Sequence, residues 1–455
     1  MRVAVVGGGP AGTRAVEVLV RAGYRPLWLE EAAAHGGRIY QRPFAATALG
    51  GDRYGPDSAK AAAIHALGDR LRAASDWRAE TLVWNLRPGL IDTFRAGRLE
   101  TEQADRVILC TGAMDRIVPL PGWTLPGVFA LGGAQIALKV HGVAIGARVA
   151  FIGTGPLLWL VAAQYLAAGI SVALVLDTTP FSTKARAAAG LLAAPSTFAR
   201  GLALLARLRL AGVRVIEGGT PVSIEGTEAV AAVRVRDRAG RELTLACDAV
   251  GLGFGLKPES QLADLASVPF RFEPAQRNWV PEHDASGRTP VGGVYVAGDG
   301  AGIAGAVAAE LAGARAAWAA IEDSGGAVAA EEVARLDRAI ARLKGFRCAL
   351  DRAFPYPAWL AARTPDSTIL CRCEAIAAGA LRKAAEAGHV AGGADELNRA
   401  KAFTRIGMGR CQGRLCGPPA AEILAEALGR SVAEIGRLRS QPPVKPLPIL
   451  PEAPR

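Results

Sequence analysis

Residues 3–12 read VAVVGGGPAG, and this stretch decides the fold. The apolar run Val3 to Val6 has the length of a short buried strand and gives way to Gly7, Gly9 and Gly12, with Pro10 and Ala11 opening a helix. Each glycine has its own task. The first makes the tight turn, the second lets the backbone approach a pyrophosphate, and the third lets helix and strand pack closely. The N-terminus of the helix then faces the phosphates. Glu30 ends the next apolar run, RPLWLE, 18 residues beyond Gly12, where a carboxylate can accept hydrogen bonds from a ribose.

Working outward, short Val/Ile/Leu runs alternate with Ala-rich helical stretches to about residue 323, the pattern of parallel sheets with helices on their faces. A second strand-glycine-helix unit opens at FIGTGPLLWL, residues 151–160. It keeps Gly153 and Gly155 but has Leu158 where a third small residue is expected, and that bulk pushes helix from strand. Asp177 closes the following strand, SVALVLD, and suits an unphosphorylated ribose if the unit is occupied. A vestigial or other-nucleotide site and a working NAD(H) site both stay open. The unit contains no CxxC.

The expected architecture is α/β, with two nested Rossmann-like units. Residues 1–120 and 285–325 form the first, residues 121–284 the inserted second, residues 326–439 a small helical domain, and residues 440–455 a Pro-rich tail. That tail, SQPPVKPLPILPEAPR, has too many prolines for helix or sheet, and reads as a solvated extended end or a partner-binding arm. The uncharged stretch from Val149 to Leu176 is as long as a membrane span, but Gly153, Gly155 and Pro156 break it into strand, turn and helix.

Four of the seven cysteines crowd into the helical domain, as Cys371-Arg372-Cys373 and as Cys411 with Cys416. Spacings this tight bring two thiolates of each pair to one small inorganic centre, so an iron-sulfur cluster is expected. Structural zinc is the rival, although its pairs usually enclose two to four residues. Arg372, Arg410 and Arg414 adjoin the ligands and would favour a reduced, more negative cluster, while glycines at 407, 409, 413 and 417 would aim amides at sulfur. Cys110, Cys247 and Cys348 read as ordinary buried residues, and His389 as a surface residue.

The formal charge of +11 comes from dispersed basic residues without long like-charge runs, which argues against a nucleic-acid surface and leaves room for an acidic protein partner. No secretory leader precedes the first strand, so a cytoplasmic address is expected, with peripheral association at the inner membrane face left open.

Two distant segments carry a resemblance. ADRVILCTGA (104–113), with Thr111 and Gly112, and GGVYVAGDGAGIAGA (292–306), with Gly298 and Asp299, are similar to the later FAD motifs of glutathione and thioredoxin reductase-like flavoproteins. That resemblance implies FAD in the first unit, with Asp299 on the ribityl chain and the loop at Gly36, Gly37 and Arg38 near the flavin. The segments CRCE (371–374), TRIGMGRCQGRLCGP (404–418) and GTGPLLWLVAAQYLAAG (153–169) closely resemble one group of flavoproteins with a bacterioferritin-associated ferredoxin-like [2Fe-2S] domain. It comprises the FAD subunits of hydrogen cyanide synthase, octopine and nopaline oxidases and D-hydroxyproline dehydrogenase, with sarcosine oxidase alpha more distant.

The group implies an electron-transfer subunit of a heteromeric dehydrogenase. Its partners would be an amine-oxidising FAD subunit of the D-amino-acid oxidase type and sometimes a small ferredoxin-like subunit. Consistent with chemistry performed elsewhere, the five histidines and dispersed carboxylates form no acid-base or nucleophile constellation, so the catalytic residues are unknown. Two other readings stand beside it: a free-standing NAD(P)H-dependent reductase, and a scaffold whose cofactors are redox-silent.

Overall fold

The computed structural model describes residues 1–44, 54–386 and 394–448. Its first sheet has five parallel strands in the spatial order Val294–Val296, Arg106–Leu109, Val3–Val6, Leu27–Leu29, Asp76–Arg78. The edge strand Val294–Val296 arrives only after the whole second unit has been built, which makes the arrangement nested.

Helix Pro10–Arg21 buries Ala11, Ala15, Val16, Val18 and Leu19 against this sheet and against helix Ala306–Glu322. Small residues let the two helices approach closely: a Cβ added at Gly313 would sit 2.0 Å from the Ala11 carbonyl oxygen. Beneath them Trp28 is fully buried, and its Nε1 donates to the Gly7 carbonyl at 3.2 Å, so the largest core side chain also steadies the glycine turn. Burying a ring of that size contributes roughly 4–6 kcal/mol of hydrophobic stabilisation.

The second sheet repeats the plan, in the order Val215–Glu217, Ser171–Asp177, Arg148–Thr154, Ala249–Phe254, Val128–Ala130, again all parallel. The uncharged stretch divides as expected into strand Arg148–Thr154, helix Pro156–Ala167 and strand Ser171–Asp177. Among the described residues no helix is long and apolar enough to cross a membrane.

The chain returns to the first unit earlier than residue 285. Leu262, Ala263, Ala266 and Val268 already share a core with Ala4, Val6 and Leu27. The antiparallel pair Ala113–Asp115 and Leu256–Pro258 forms the crossing between units.

Helix Ala330–Ala353 falls within the span expected for the helical domain but lies outside the cysteine-bearing fold. It packs on Ala306–Glu322 and, through Ala349 and Ala353, on helix Phe181–Leu191 of the second unit. With Ala349 and Ala353 turned inward, Cys348 beside them is exposed, which corrects the expectation of a buried thiol. Cys110 and Cys247 are buried, and burial pushes their thiols up to about 12 and about 11.

Strands Ile369–Cys371 and Ile376–Ala377 and helices Ala378–Glu386, Leu397–Thr404, Gly417–Leu428 and Val432–Ile435 enclose a separate small core that includes Cys371 and Cys416. His389 lies outside the described residues. The start of the tail forms neither helix nor strand, yet it is docked on its own chain, correcting the picture of a solvated end. Val444 is 3% exposed in the first unit's core, its amide donates to the Trp84 carbonyl at 3.0 Å, and Lys445 pairs with Glu31.

Candidate functional site

The first glycine loop is built so that nothing but backbone lies at its centre. Gly7 has φ of +109°, and a Cβ there would meet the Cys110 carbonyl oxygen at 2.3 Å, while one at Gly12 would meet the Gly7 carbonyl oxygen at 1.8 Å. Gly9 caps the helix without a side-chain cap, leaving its first amides open to a ligand, and Pro10 fills the first position, where no amide is needed. Gly37 lies directly over Gly9, since a Cβ on it would come within 2.8 Å of the Gly9 Cα. Arg38 beside it is exposed, and its carbonyl accepts from Lys139 Nζ at 3.1 Å.

Glu30 stands at the rim. Its two oxygens accept from the Gly8 amide at 2.5 Å and the Ala32 amide at 2.8 Å, and burial holds its carboxyl above the usual range. Asp299 Oδ1 accepts from the Ala304 and Gly305 amides at 2.8 and 2.9 Å, which leaves Oδ2 without a protein partner among the described residues. Gly298 fits against Ala11, and Thr111 Oγ1 donates to the Glu259 carbonyl, tying Thr111 and Gly112 to the crossing strand. Gly7, Gly9, Gly12, Glu30, Gly37, Thr111, Gly112, Gly298 and Asp299 are thus brought to one end of one sheet.

The second unit is different. Asp177 is fully buried, its Oδ1 accepts from the Thr179 amide at 2.9 Å, and Lys184 Nζ lies 2.7 Å from its Oδ2. Lys184 is also 2.7 Å from Glu217 Oε1, and only that contact has hydrogen-bonding geometry. The carboxylate expected to meet a ribose is therefore enclosed and already paired. Leu158 is fully buried beside Phe151, Trp159 and Val175, so the core absorbs its bulk.

The four clustered cysteines come together in space. Cys416 lies beside both Cys371 and Cys411, and Cys373 lies beside Cys411. The Cys416 bond together with the Gly407, Glu374 and Cys373 amides pulls the Cys371 thiol down to about 6. At Cys411 the Cys416 bond leads, the Leu415, Cys373 and Gly413 bonds add to it, and the thiol falls to about 5. Cys371 and Cys411 are thus poised to ionise, whereas burial holds Cys373 up and the neighbouring Cys371 and Cys411 sulfurs hold Cys416 up, so the ligand-free set keeps protons that a bound metal would displace. Among the described residues no three His, Cys, Asp or Glu side chains converge as the ligands of one ion do; the thiols run in a chain from Cys371 through Cys416 and Cys411 to Cys373. Their mutual contact decides the fit, because a two-iron cluster is held by four thiolates, two on each iron. Gly409 is required here, since a Cβ would lie 2.3 Å from the Cys373 Cβ.

The arginines are placed otherwise than the sequence suggests. Arg414 is buried and turns from sulfur to Glu259, at 2.8 and 3.0 Å, and to the Val444 carbonyl at 2.6 Å. Arg372 lies 5.6 Å over the Trp123 ring, and Arg410 is exposed. Three ion pairs, Arg414–Glu259, Arg277–Glu422 and Arg437–Asp264, fasten the cluster domain to the crossing segment. None is legible in the sequence, because their partners lie 145 to 173 residues apart.

Residues 1–313 match the family described as pyridine nucleotide-disulphide oxidoreductase. The chain belongs to that family. Residues 369–426 of this oxidoreductase also match the BFD-like [2Fe-2S] binding domain, a span that holds all four clustered cysteines. Its cofactors are FAD and a [2Fe-2S] cluster. An opine oxidase subunit of Agrobacterium tumefaciens (strain Ach5) is 36% identical, over 97% of this chain and 89% of the relative. Hydrogen cyanide synthase subunit HcnB of Pseudomonas aeruginosa is 31% identical, over 99% and 97%. The oxidoreductase is thus an FAD and iron-sulfur subunit of the heteromeric oxidase type. Among solved structures, L-proline dehydrogenase from P. horikoshii shares the fold with a TM-score of 0.72 and 21% identity, covering 98% of this chain and 78% of that one.

Proposed function

We propose that this chain relays electrons within a heteromeric oxidase of amines or imino acids, with opines and D-hydroxyproline as the first candidates. A partner flavoprotein of the D-amino-acid oxidase type would oxidise the C–N bond. FAD would rest on Gly7, Gly9, Pro10, Ala11 and Gly12, with Glu30 toward the adenosine ribose, Asp299 toward the ribityl chain, and Gly37, Arg38, Thr111, Gly112 and Gly298 around it. Cys371, Cys373, Cys411 and Cys416 would hold the cluster. When bound, the flavin supplies two-electron and the cluster one-electron chemistry.

One observation carries this reading: Glu259 holds both the flavin loop and the cluster loop. The Glu259 amide donates to the Gly112 carbonyl at 2.9 Å, and its carboxylate holds Arg414, which lies between Cys411 and Cys416. Gln261 adds a second tie, donating to the Gln412 carbonyl at 3.0 Å. A partly buried, hydrogen-bonded link between the two loops suits electron transfer.

Co-expression with candidate partner chains and a screen over D-hydroxyproline, opines, sarcosine and glycine tests the substrate class. Turnover should require the partner; oxidation of any of these by the isolated chain would overturn the relay. The Cys411→Ser variant should lose the cluster's visible absorption, keep its flavin and pass electrons to an acceptor far more slowly in the assembled enzyme. Loss of both cofactors together would contradict separate sites.

A further inference from the structure

A cavity of about 110 Å³ lies between the crossing strand Leu256–Pro258 and the cluster loop, walled by Gln412, Gly413 and Arg414 on the cluster side. It is several times the volume that one water occupies in the liquid, roughly 30 Å³. The three interdomain ion pairs contribute to its lining, and their charges cancel. Two lining cations remain uncancelled, Arg116 and Lys257.

Arg116 is 3% exposed, donates from its two terminal nitrogens to the Gln276 and Arg277 carbonyls, and stacks 3.6 Å from the Tyr356 ring. Its Nε is buried without a partner among the described residues. Lys257 is half-buried and has neither a hydrogen bond nor an ion pair there among the described residues. Two more lining groups are orphaned: the indole Nε1 of Trp279, a donor, and the Oε1 of Gln261, an acceptor.

A buried donor left unpaired is costly, and a charged one more so. Several such groups around one cavity form a site for a ligand that answers them together. The unanswered donors, Lys257 ammonium, Arg116 Nε and Trp279 Nε1, call for an oxyanion; the unanswered Gln261 oxygen calls for an O–H on the same ligand. Hydrogen phosphate has both and has the right size. We propose that this cavity binds a hydrogen phosphate group, seated between the flavin loop and the cluster loop. The proposal does not depend on the direction or the substrate of electron transfer.

Calorimetric titration of inorganic phosphate into the full-length holoprotein tests it, with nitrate as an anion lacking an O–H and glycerol 3-phosphate as an esterified arm. Saturable binding of one phosphate per chain, tighter than nitrate, is expected. Preference for the free ion assigns inorganic phosphate; equal binding of the ester assigns the phosphoryl group of a larger molecule, and both uphold the site. The Lys257→Met variant should weaken binding by about tenfold or more, and Trp279→Phe, which keeps an aromatic ring and removes one donor, by roughly three- to tenfold. Should Lys257→Met fail to fold, Trp279→Phe decides alone. Absence of saturable heat from the wild type, or unchanged affinity in a folded variant, overturns the proposal.

Discussion

The two nucleotide-binding units share a plan and differ in what fills its centre. Both have five parallel strands and a glycine turn entering a helix that begins with proline. In the first, the loop is bare backbone and the acidic residue, Glu30, spends its contacts on two amides at the rim. In the second, the acidic residue is buried and matched by a lysine one helical turn into the next helix. The same fold therefore supports an open cradle or a closed core, and the choice depends on where the carboxylate finds its counter-charge. An aspartate compensated from within the protein has little to offer a ribose.

The contrast breaks most sharply at the glycines. Gly12→Val drives a branched side chain into the Gly7 carbonyl, from which even a Cβ would be 1.8 Å away. A clash of that kind costs several kcal/mol, so flavin affinity should fall by about a hundredfold or more. In the second unit Leu158 already stands at the position of Gly12, so the comparison falls on Gly155, the counterpart of Gly9: Gly155→Val meets nothing within 4 Å and alters only a residue with φ of +109°. It should leave flavin content unchanged, as read from the absorbance ratio of flavin to protein. If both variants lost flavin equally, the two units would not be functionally distinct.

The second unit is tested by opening it. Removing Lys184 strands the Asp177 carboxyl in the core, a change that costs roughly 3–5 kcal/mol for a buried pair. Lys184→Met should lower the denaturation midpoint accordingly, whereas Arg241→Ala, on an exposed pair at the protein surface, should leave it nearly unchanged. Mixing the wild type with NADH or NADPH in a stopped-flow instrument should leave the flavin oxidised, and rapid bleaching would mean that the unit accepts nicotinamide after all.

This contrast also marks what a sequence can convey. Glycine turns and cysteine pairs are local: Val3 to Gly12 and Cys411 to Cys416 state their geometry within a dozen residues, and the strands, turns and clustered thiols lie where those patterns place them. Lys184 sits in an Ala-rich helix, and only the fold shows it reaching Asp177. Arg414 is equally misleading, because its partner Glu259 lies across 155 residues. Cys348 reads as buried and is not, because a helix face is undetermined until its neighbours are known. The docked tail depends on one valine finding a gap beside Trp84.

A smaller effect probes the joint between the two units. Asp115 lies on the crossing strand, its Oδ2 accepts from the Gly132 amide at 2.9 Å, and burial holds its carboxyl up at about 6 against an ordinary 3.8. Because the folded value is above the unfolded one, the native chain keeps a proton between those two pH values that the unfolded chain has released. Stability from this group is therefore complete below about pH 4, declines as pH rises and is fully lost above about 6, a loss of at most about 3 kcal/mol. Asp115→Asn cannot ionise, so its denaturation midpoint should lack this part of the decline, as urea titrations from acid to neutral pH would read. An unchanged slope in the variant would mean that other carboxyls set the acid limb and that the joint between units is not where the chain senses pH.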